Sequence, residues 1–162
     1  MLKHFIFILC IAFIGKASAQ DNVRMVSFDE VRNLMNRNTD TTYVINFWAS
    51  WCNPCVHELP NFVKLDSISK NTKVKVYLIS LDAPKEIDTR LKPFVKKKNI
   101  QSPVWLLKAP DSWIDDVDSS WDGTIPCTLV LNNKMKMRQF TEKELSMEAL
   151  NNMISPFVIK NR

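Results

Sequence analysis

Cys52 and Cys55 stand three positions apart in Trp51-Cys52-Asn53-Pro54-Cys55. They follow the apolar run Val44-Ile45-Asn46-Phe47-Trp48 and precede a stretch with helical periodicity. A thiol at a helix start meets the positive end of the helix dipole and unpaired backbone N–H groups. Both favour the thiolate, the attacking form in disulfide exchange. A second thiol one turn later can reach back and close a disulfide, so the spacing describes a reversible two-electron switch. Competing uses are a static disulfide or half of a zinc site. Zinc needs a second pair of ligands; Cys127 and His57 can be nominated, but no second C-x-x-C or H-x₃-H spacing exists. Haem attachment would place a histidine directly after the second cysteine, where this chain has Val56.

The elements around the pair alternate. Ser27-Phe28-Asp29-Glu30 is a capping box that opens a helix to about Asn36, with Phe28, Val31 and Leu34 inward. Asn38 to Asp40 is a turn, and Thr41 to Phe47 is β-branched and aromatic, hence a strand. Its near-continuous apolarity predicts a central strand covered on both faces. A helix follows from Asn53 to about Lys70, with Val56, Leu59 and Val63 marking its apolar stripe. Pro60 should kink it, since proline lacks the N–H and crowds the preceding turn. Val74 to Ser80 is a second buried strand. Pro84 to Lys98 is a helix that Pro93 bends or breaks, with Ile87, Leu91, Phe94 and Val95 on one face. Pro103 to Leu107 is a short strand. Cys127 to Leu131 and Met135 to Phe140 form a hairpin turning at Asn132-Asn133, where positive φ is expected. A last helix runs from Met147 to about Ile154. The order is helix first, then alternating strands and helices, then the hairpin and a helix. It predicts an α/β fold with a mainly parallel centre and antiparallel edge strands.

Lys3 and His4 precede an apolar stretch from Phe5 to Ile14, and Ala17-Ser18-Ala19 follows. This is the pattern of a signal peptide over residues 1–19, cleaved after Ala19. The alternative is an uncleaved membrane anchor, although the stretch is shorter than the roughly 20 apolar residues a spanning helix needs. Leu9 ahead of Cys10 argues against lipid attachment there. Residues 20–162 then make one domain with its core over about 28–155. Cleavage lowers the formal charge from +5 to +3. Lys96-Lys97-Lys98 is the only basic run, and it has no interleaved aromatics, which argues against nucleic acid. One close cysteine pair plus Cys127 does not make a dispersed disulfide framework, so the pair reads as a working site in an oxidising compartment.

The string from Val44 to Pro60 resembles the active-site stretch of thioredoxin-fold proteins, in particular the exported TlpA/ResA-type thiol-disulfide oxidoreductases. That branch shows W-C-x-P-C-x-x-E-x-P, matched at Trp51, Cys52, Pro54, Cys55, Glu58 and Pro60. The resemblance implies a thioredoxin fold: a central mixed β-sheet flanked by helices, with an N-terminal helix. It implies Cys52 as nucleophile, Cys55 as resolving thiol, and a cis-proline loop at Ile125-Pro126. Trp51, Asn53, Pro54, Ile125 and Pro126 are then expected to contact substrate. The family usually places glycine directly before the residue that precedes the cis-proline. Here Thr124 intervenes after Gly123, so the loop is expected to be one residue longer.

Thioredoxin itself has a buried Asp in the preceding strand where this chain has Asn46. The TlpA/ResA branch carries that Asn together with the motif Glu. Glu58 is therefore expected to handle the proton of Cys55 and to raise the thiol pKa values by its charge; otherwise it is a solvated helical residue. The expected activity is dithiol/disulfide exchange, as a reductase of periplasmic protein disulfides, with apocytochromes among possible clients. Alternatives are a disulfide-forming oxidant and a non-catalytic metal-chaperone or adaptor module. The expected partners are protein thiols or disulfides and a membrane thiol-electron donor, with the chain a monomer. No metal and no cofactor is expected beyond the redox-active Cys52–Cys55 disulfide itself.

Four further features have blander readings. Cys127 is expected as a buried, small hydrophobe rather than a third redox thiol. Asp118-Ser119-Ser120-Trp121-Asp122-Gly123 imitates half a calcium loop but lacks the closing Glu, Leu129 standing there. Trp113 and Trp121 are read as core, with a docking patch as the alternative. His57 is expected to be exposed and, when protonated, to help hold a Cys52 thiolate.

Overall fold

The computed structural model describes residues 22–109 and 112–158. The predicted leader, its cleavage point and Cys10 lie outside them. So does Asp111.

Five strands were expected and the sheet has six, in the order β1-β4-β3-β2-β5-β6. The strands are β1 (Val23–Ser27), β2 (Thr42–Trp48), β3 (Val74–Ser80), β4 (Val104–Lys108), β5 (Cys127–Asn132) and β6 (Met137–Thr141). Strands β1, β4, β3 and β2 run parallel, and β5 and β6 are antiparallel to their neighbours. The added strand is β1, which pairs along the edge of β4 from Val23↔Val104 to Ser27↔Lys108. A strand, not a helix, is thus the first described element. Helix α1 (Phe28–Met35) follows at once, with both halves of the Ser27/Glu30 capping box formed.

Strand β2 is buried along its whole length, and its two faces enter two cores. Val44 and Trp48 pack with Leu59, Phe62, Leu78, Val95 and Leu150 on one side. Tyr43, Ile45 and Phe47 pack with Phe28, Leu34 and Trp121 on the other. This period-two division is what a continuous apolar strand in the middle of a sheet requires. It also aims Asn46 to the same side as Val44 and Trp48, beneath helix α2 (Asn53–Ile68).

Helix α2 buries Cys55, Glu58, Leu59, Phe62 and Leu65. Val56 and Val63, expected inward with Leu59, are half-buried at the flank. The helix continues through Pro60. The stretch expected as one helix over 84–98 is broken into a 3₁₀ turn at Pro84–Glu86, a π-helical turn at Ile87–Leu91 and α3 (Lys92–Lys97). Pro93 cannot donate to the carbonyl four residues back, and the wider turn sits directly ahead of it. Leu91 and Val95 still reach the core, with Ile87 and Phe94 packed against it. The hairpin turns over 133–136, and Lys136 takes the positive φ (53°) rather than either asparagine. Asn132 Oδ1 accepts the Met135 N–H, and Asn133 Nδ2 donates to the Met35 and Arg37 carbonyls, so both asparagines tie the loop through their side chains.

Between β4 and β5 lie α4 (Ile114–Val117) and an aromatic cluster. The Trp121 ring stands 5.0 Å from Phe47 and 5.2 Å from Trp113, centroid to centroid. Trp121 is buried, so the core reading of this segment holds for it. Gly123 follows with φ +92°, and a Cβ there would meet Ile114 Cδ1 at 3.2 Å. Gly123→Ala should therefore lose more than about 1 kcal/mol of stability, read as a lower urea midpoint. An unchanged midpoint would contradict the positive-φ assignment.

Candidate active site

Ala49, Ser50 and Trp51 turn the chain from β2 into α2. Cys52 is the N-cap: its backbone is extended, and its Sγ accepts the Cys55 N–H at 3.3 Å. Its carbonyl takes the Val56 N–H at 3.0 Å, the first bond of the helix. Asn53 and Pro54 form the exposed first turn, where a proline sacrifices no helical hydrogen bond. Cys52 and Cys55 are joined by a disulfide. Cys52 is 7% exposed and Cys55 fully buried, so the accessible sulfur is that of Cys52. Trp51 beside it is 57% exposed.

The facing wall is the loop before β5. The Ile125–Pro126 peptide bond is cis, and the Ile125 carbonyl lies 3.8 Å from Cys52 Sγ. Thr124, which separates Gly123 from Ile125, is held at both ends. Its N–H donates to Asp122 Oδ1 at 2.7 Å, and its carbonyl accepts from Trp121 Nε1 at 2.8 Å. The tryptophan segment thus fixes the loop that faces the cysteines.

Glu58 is 1% exposed, so it is not a solvated helical residue. Its Oε1 accepts from Asn46 Nδ2 and its Oε2 from the Leu145 N–H, both at 2.7 Å. Asn46 Nδ2 also reaches Thr128 Oγ1 (3.1 Å) and the Cys127 carbonyl (3.3 Å). Asn61 Nδ2 donates to the Leu145 carbonyl at 2.9 Å. One carboxylate therefore joins α2, the centre of β2 and the loop before α5 (Met147–Ile154). Burial pushes Glu58 up to about 7; the hydrogen bonds from Leu145 and Asn46 pull the other way, and the Glu144 charge adds to the rise.

The remaining expectations divide. Cys127 is buried and is the free thiol of the described residues, and burial raises its pKa far above the ordinary range. It therefore stays protonated near neutrality and behaves as a small hydrophobe. His57 is exposed and its Nδ1 meets Glu144. Asp118 is engaged by Ser120 and Arg138, and Asp122 by Thr124. Residue spacing gave no sign of the Leu145 N–H or of Asp82, which lies buried behind the turn at Ser50.

A profile of the AhpC/TSA family matches residues 21–140. The chain belongs to the AhpC/TSA family. The chain is 29% identical over 91 residues to sporulation thiol-disulfide oxidoreductase A of Bacillus subtilis (strain 168), covering 56% of this chain and 53% of that protein. It is 40% identical over 60 residues to the thiol-disulfide oxidoreductase ResA of Bacillus thuringiensis subsp. konkukian (strain 97-27), covering 37% of this chain and 33% of that one. The alignments therefore span about half or less of these relatives' length. Its fold is similar to that of a thioredoxin-related protein from Neisseria meningitidis serogroup B, with a TM-score of 0.60 at 25% identity over 72% of this chain and 84% of that one. The thioredoxin-like fold that the motif implied is thus present in this AhpC/TSA chain.

The buried acid of this family member sets a pH dependence. Below pH 4.5, its ordinary value, Glu58 is protonated in folded and unfolded chains alike. Between there and about 7 the unfolded chain releases the proton while the fold retains it. Stability therefore falls as pH rises, by about 3 kcal/mol in all, and levels off above that window. Glu58→Gln should remove this slope. Urea unfolding of oxidised wild type and variant, stepped from about pH 4 to about pH 8, should show the wild type losing ground steadily. A constant difference would refute a raised Glu58 pKa.

Proposed function

We propose that the chain is an exported thiol-disulfide oxidoreductase that reduces protein disulfides outside the cytoplasm. The observation carrying this is the Cys52–Cys55 pair at the N-cap of α2, with the reachable sulfur facing the Ile125 carbonyl. In the reduced state, the Cys55 N–H and the helix dipole stabilise a Cys52 thiolate. That thiolate attacks one sulfur of a client disulfide. A mixed disulfide forms, and the client's other sulfur leaves as a thiolate that takes up a proton. Cys55 then loses its proton and attacks Cys52 Sγ. This closes the intramolecular disulfide and releases the second client thiol. Two electrons and two protons have passed to the client. A dithiol donor restores the pair by the reverse exchange, and a membrane thiol carrier fits an exported location.

Glu58 is the proposed proton acceptor for Cys55. It lies one turn further along α2 and is also turned inward, and a carboxyl near 7 exists in both protonation states at neutral pH. Trp51, Asn53, Pro54, Ile125 and Pro126 form the proposed client-binding rim, where the Ile125 backbone can pair with an extended segment. Oxidised periplasmic proteins, apocytochromes among them, are the proposed client class. The resemblance of the motif to exported TlpA/ResA-type enzymes supports the location and client class, and the relatives' names support thiol-disulfide exchange alone.

Cys52→Ser should abolish reduction of insulin disulfides by the dithiothreitol-charged protein. Cys55→Ala should accumulate mixed disulfides with periplasmic proteins, identifiable by mass spectrometry. A measured potential near −270 mV supports a reductase, whereas one near −120 mV would indicate an oxidant instead. Insulin turnover that survives in Cys52→Ser would overturn the assignment altogether.

A further inference from the structure

Asp82 is a buried carboxylate that the exchange reaction does not use. It is 2% exposed and follows β3 by two residues. Three donors converge on it. Ser50 N–H donates to Oδ2 at 3.0 Å and the Ser50 hydroxyl to Oδ1 at 2.5 Å. The Ser80 hydroxyl donates to Oδ2 at 2.7 Å, and the Asp82 N–H in turn donates to Ser80 Oγ at 3.1 Å. Burying a carboxyl group is costly unless such donors replace water. Their arrangement shows what is held in exchange. Ser80 is the last residue of β3 and pairs in register with Trp48, the last residue of β2. Ser50 belongs to the turn between Trp48 and Cys52. The carboxylate therefore braces this turn against the end of the neighbouring strand. The Leu81 N–H adds a bond to the Trp48 carbonyl at 2.8 Å, and the Cys52 N–H donates to the Ala49 carbonyl at 3.2 Å.

We infer that Asp82 is a positioning residue for the redox pair: through Ser50 it fixes the turn that aims Cys52 Sγ at the Cys55 N–H. This rests on the exchange function proposed above. Asp82 touches neither sulfur in the contacts described, and acts through the backbone of 50–52. The N–H that stabilises the reduced sulfur is useful only if the N-cap geometry is held, because hydrogen bonds weaken steeply with misalignment. The Ser50 hydroxyl takes the shortest of the three bonds to the carboxylate and is removable without altering any charge. It is also the accessible end of the brace, since Ser50 is half-buried while Ser80 is fully buried.

The test compares Ser50→Ala with Ser50→Thr in the otherwise unaltered chain. Loosening the turn should weaken support for the thiolate and so disfavour the reduced form. In redox equilibrium with glutathione, Ser50→Ala should shift about threefold toward the disulfide, in line with the net worth of one ordinary hydrogen bond. Its reduced Cys52 should be alkylated by iodoacetamide about threefold more slowly at neutral pH. Ser50→Thr keeps the hydroxyl and should restore both readouts. If Ser50→Ala lowers only the unfolding midpoint and leaves equilibrium and alkylation unchanged, Asp82 is merely structural and the inference fails. It fails equally if Ser50→Thr shifts as far as Ser50→Ala. Neither readout requires client turnover. A wild-type chain that cannot reduce insulin would sink the proposed function while this comparison still reports on the brace.

Discussion

The Cys55 N–H directed at Cys52 Sγ is the contact around which the molecule is arranged. It is a single hydrogen bond at a helix terminus, yet it needs α2 to begin at residue 52 and nowhere else. The exit of β2 sets that starting point. Because β2 lies inside the sheet, its end is fixed by parallel β3 on one side and antiparallel β5 on the other. Asn53-Pro54 then fills the first turn with residues that ask little of the backbone there. The dipole of a sixteen-residue helix is thus brought to bear on one slightly exposed sulfur, while its partner is kept dry one turn below.

Beneath that contact sits a carboxylate that the fold treats as an acid in waiting. Glu58 is shared among a helix, a strand and a loop, and each supplies or frames a donor. Water would level its proton affinity, whereas this enclosure lifts it toward neutrality. The two hydrogen bonds it accepts keep the lift moderate. Burial and hydrogen bonding act on the group in opposite directions, and burial is the larger. Cys127 shows the outcome of burial with no strong compensating donor: a thiol with no accessible anion.

Much of this was legible from residue types because the signals are local. A C-x-x-C before a proline and after an apolar run locates a helix start, and Ser27 with Glu30 locates another. The alternating faces of β2 follow from unbroken apolarity. What escaped depended on distant partners. Val23–Ser27 has no clean alternation, and it is a strand only because β4 offers it an edge. The apolar stripe of α2 was misplaced onto Val56 and Val63, which turns Glu58 outward on paper; the true stripe runs through Cys55, Phe62 and Leu65. No spacing rule foretells that the Leu145 amide reaches Glu58 Oε2 from 87 residues away. Nor does any place Asp82 behind Ser50 across 32 residues. The broken helix over 84–97 was half visible, since Pro93 announced a defect but not its π-helical form.

Strand β1 has a geometric corollary. It runs parallel to β4 and starts in register with Val104, at the end of the sheet where the parallel strands begin. The sulfur pair lies at the other end, where those strands finish. Asn22, the first described residue, is stitched to the Ile100 and Ser102 carbonyls by its side-chain amide where those strands begin. The first described residue and the reactive sulfur thus occupy opposite ends of the parallel strands, floor and roof of the same molecule.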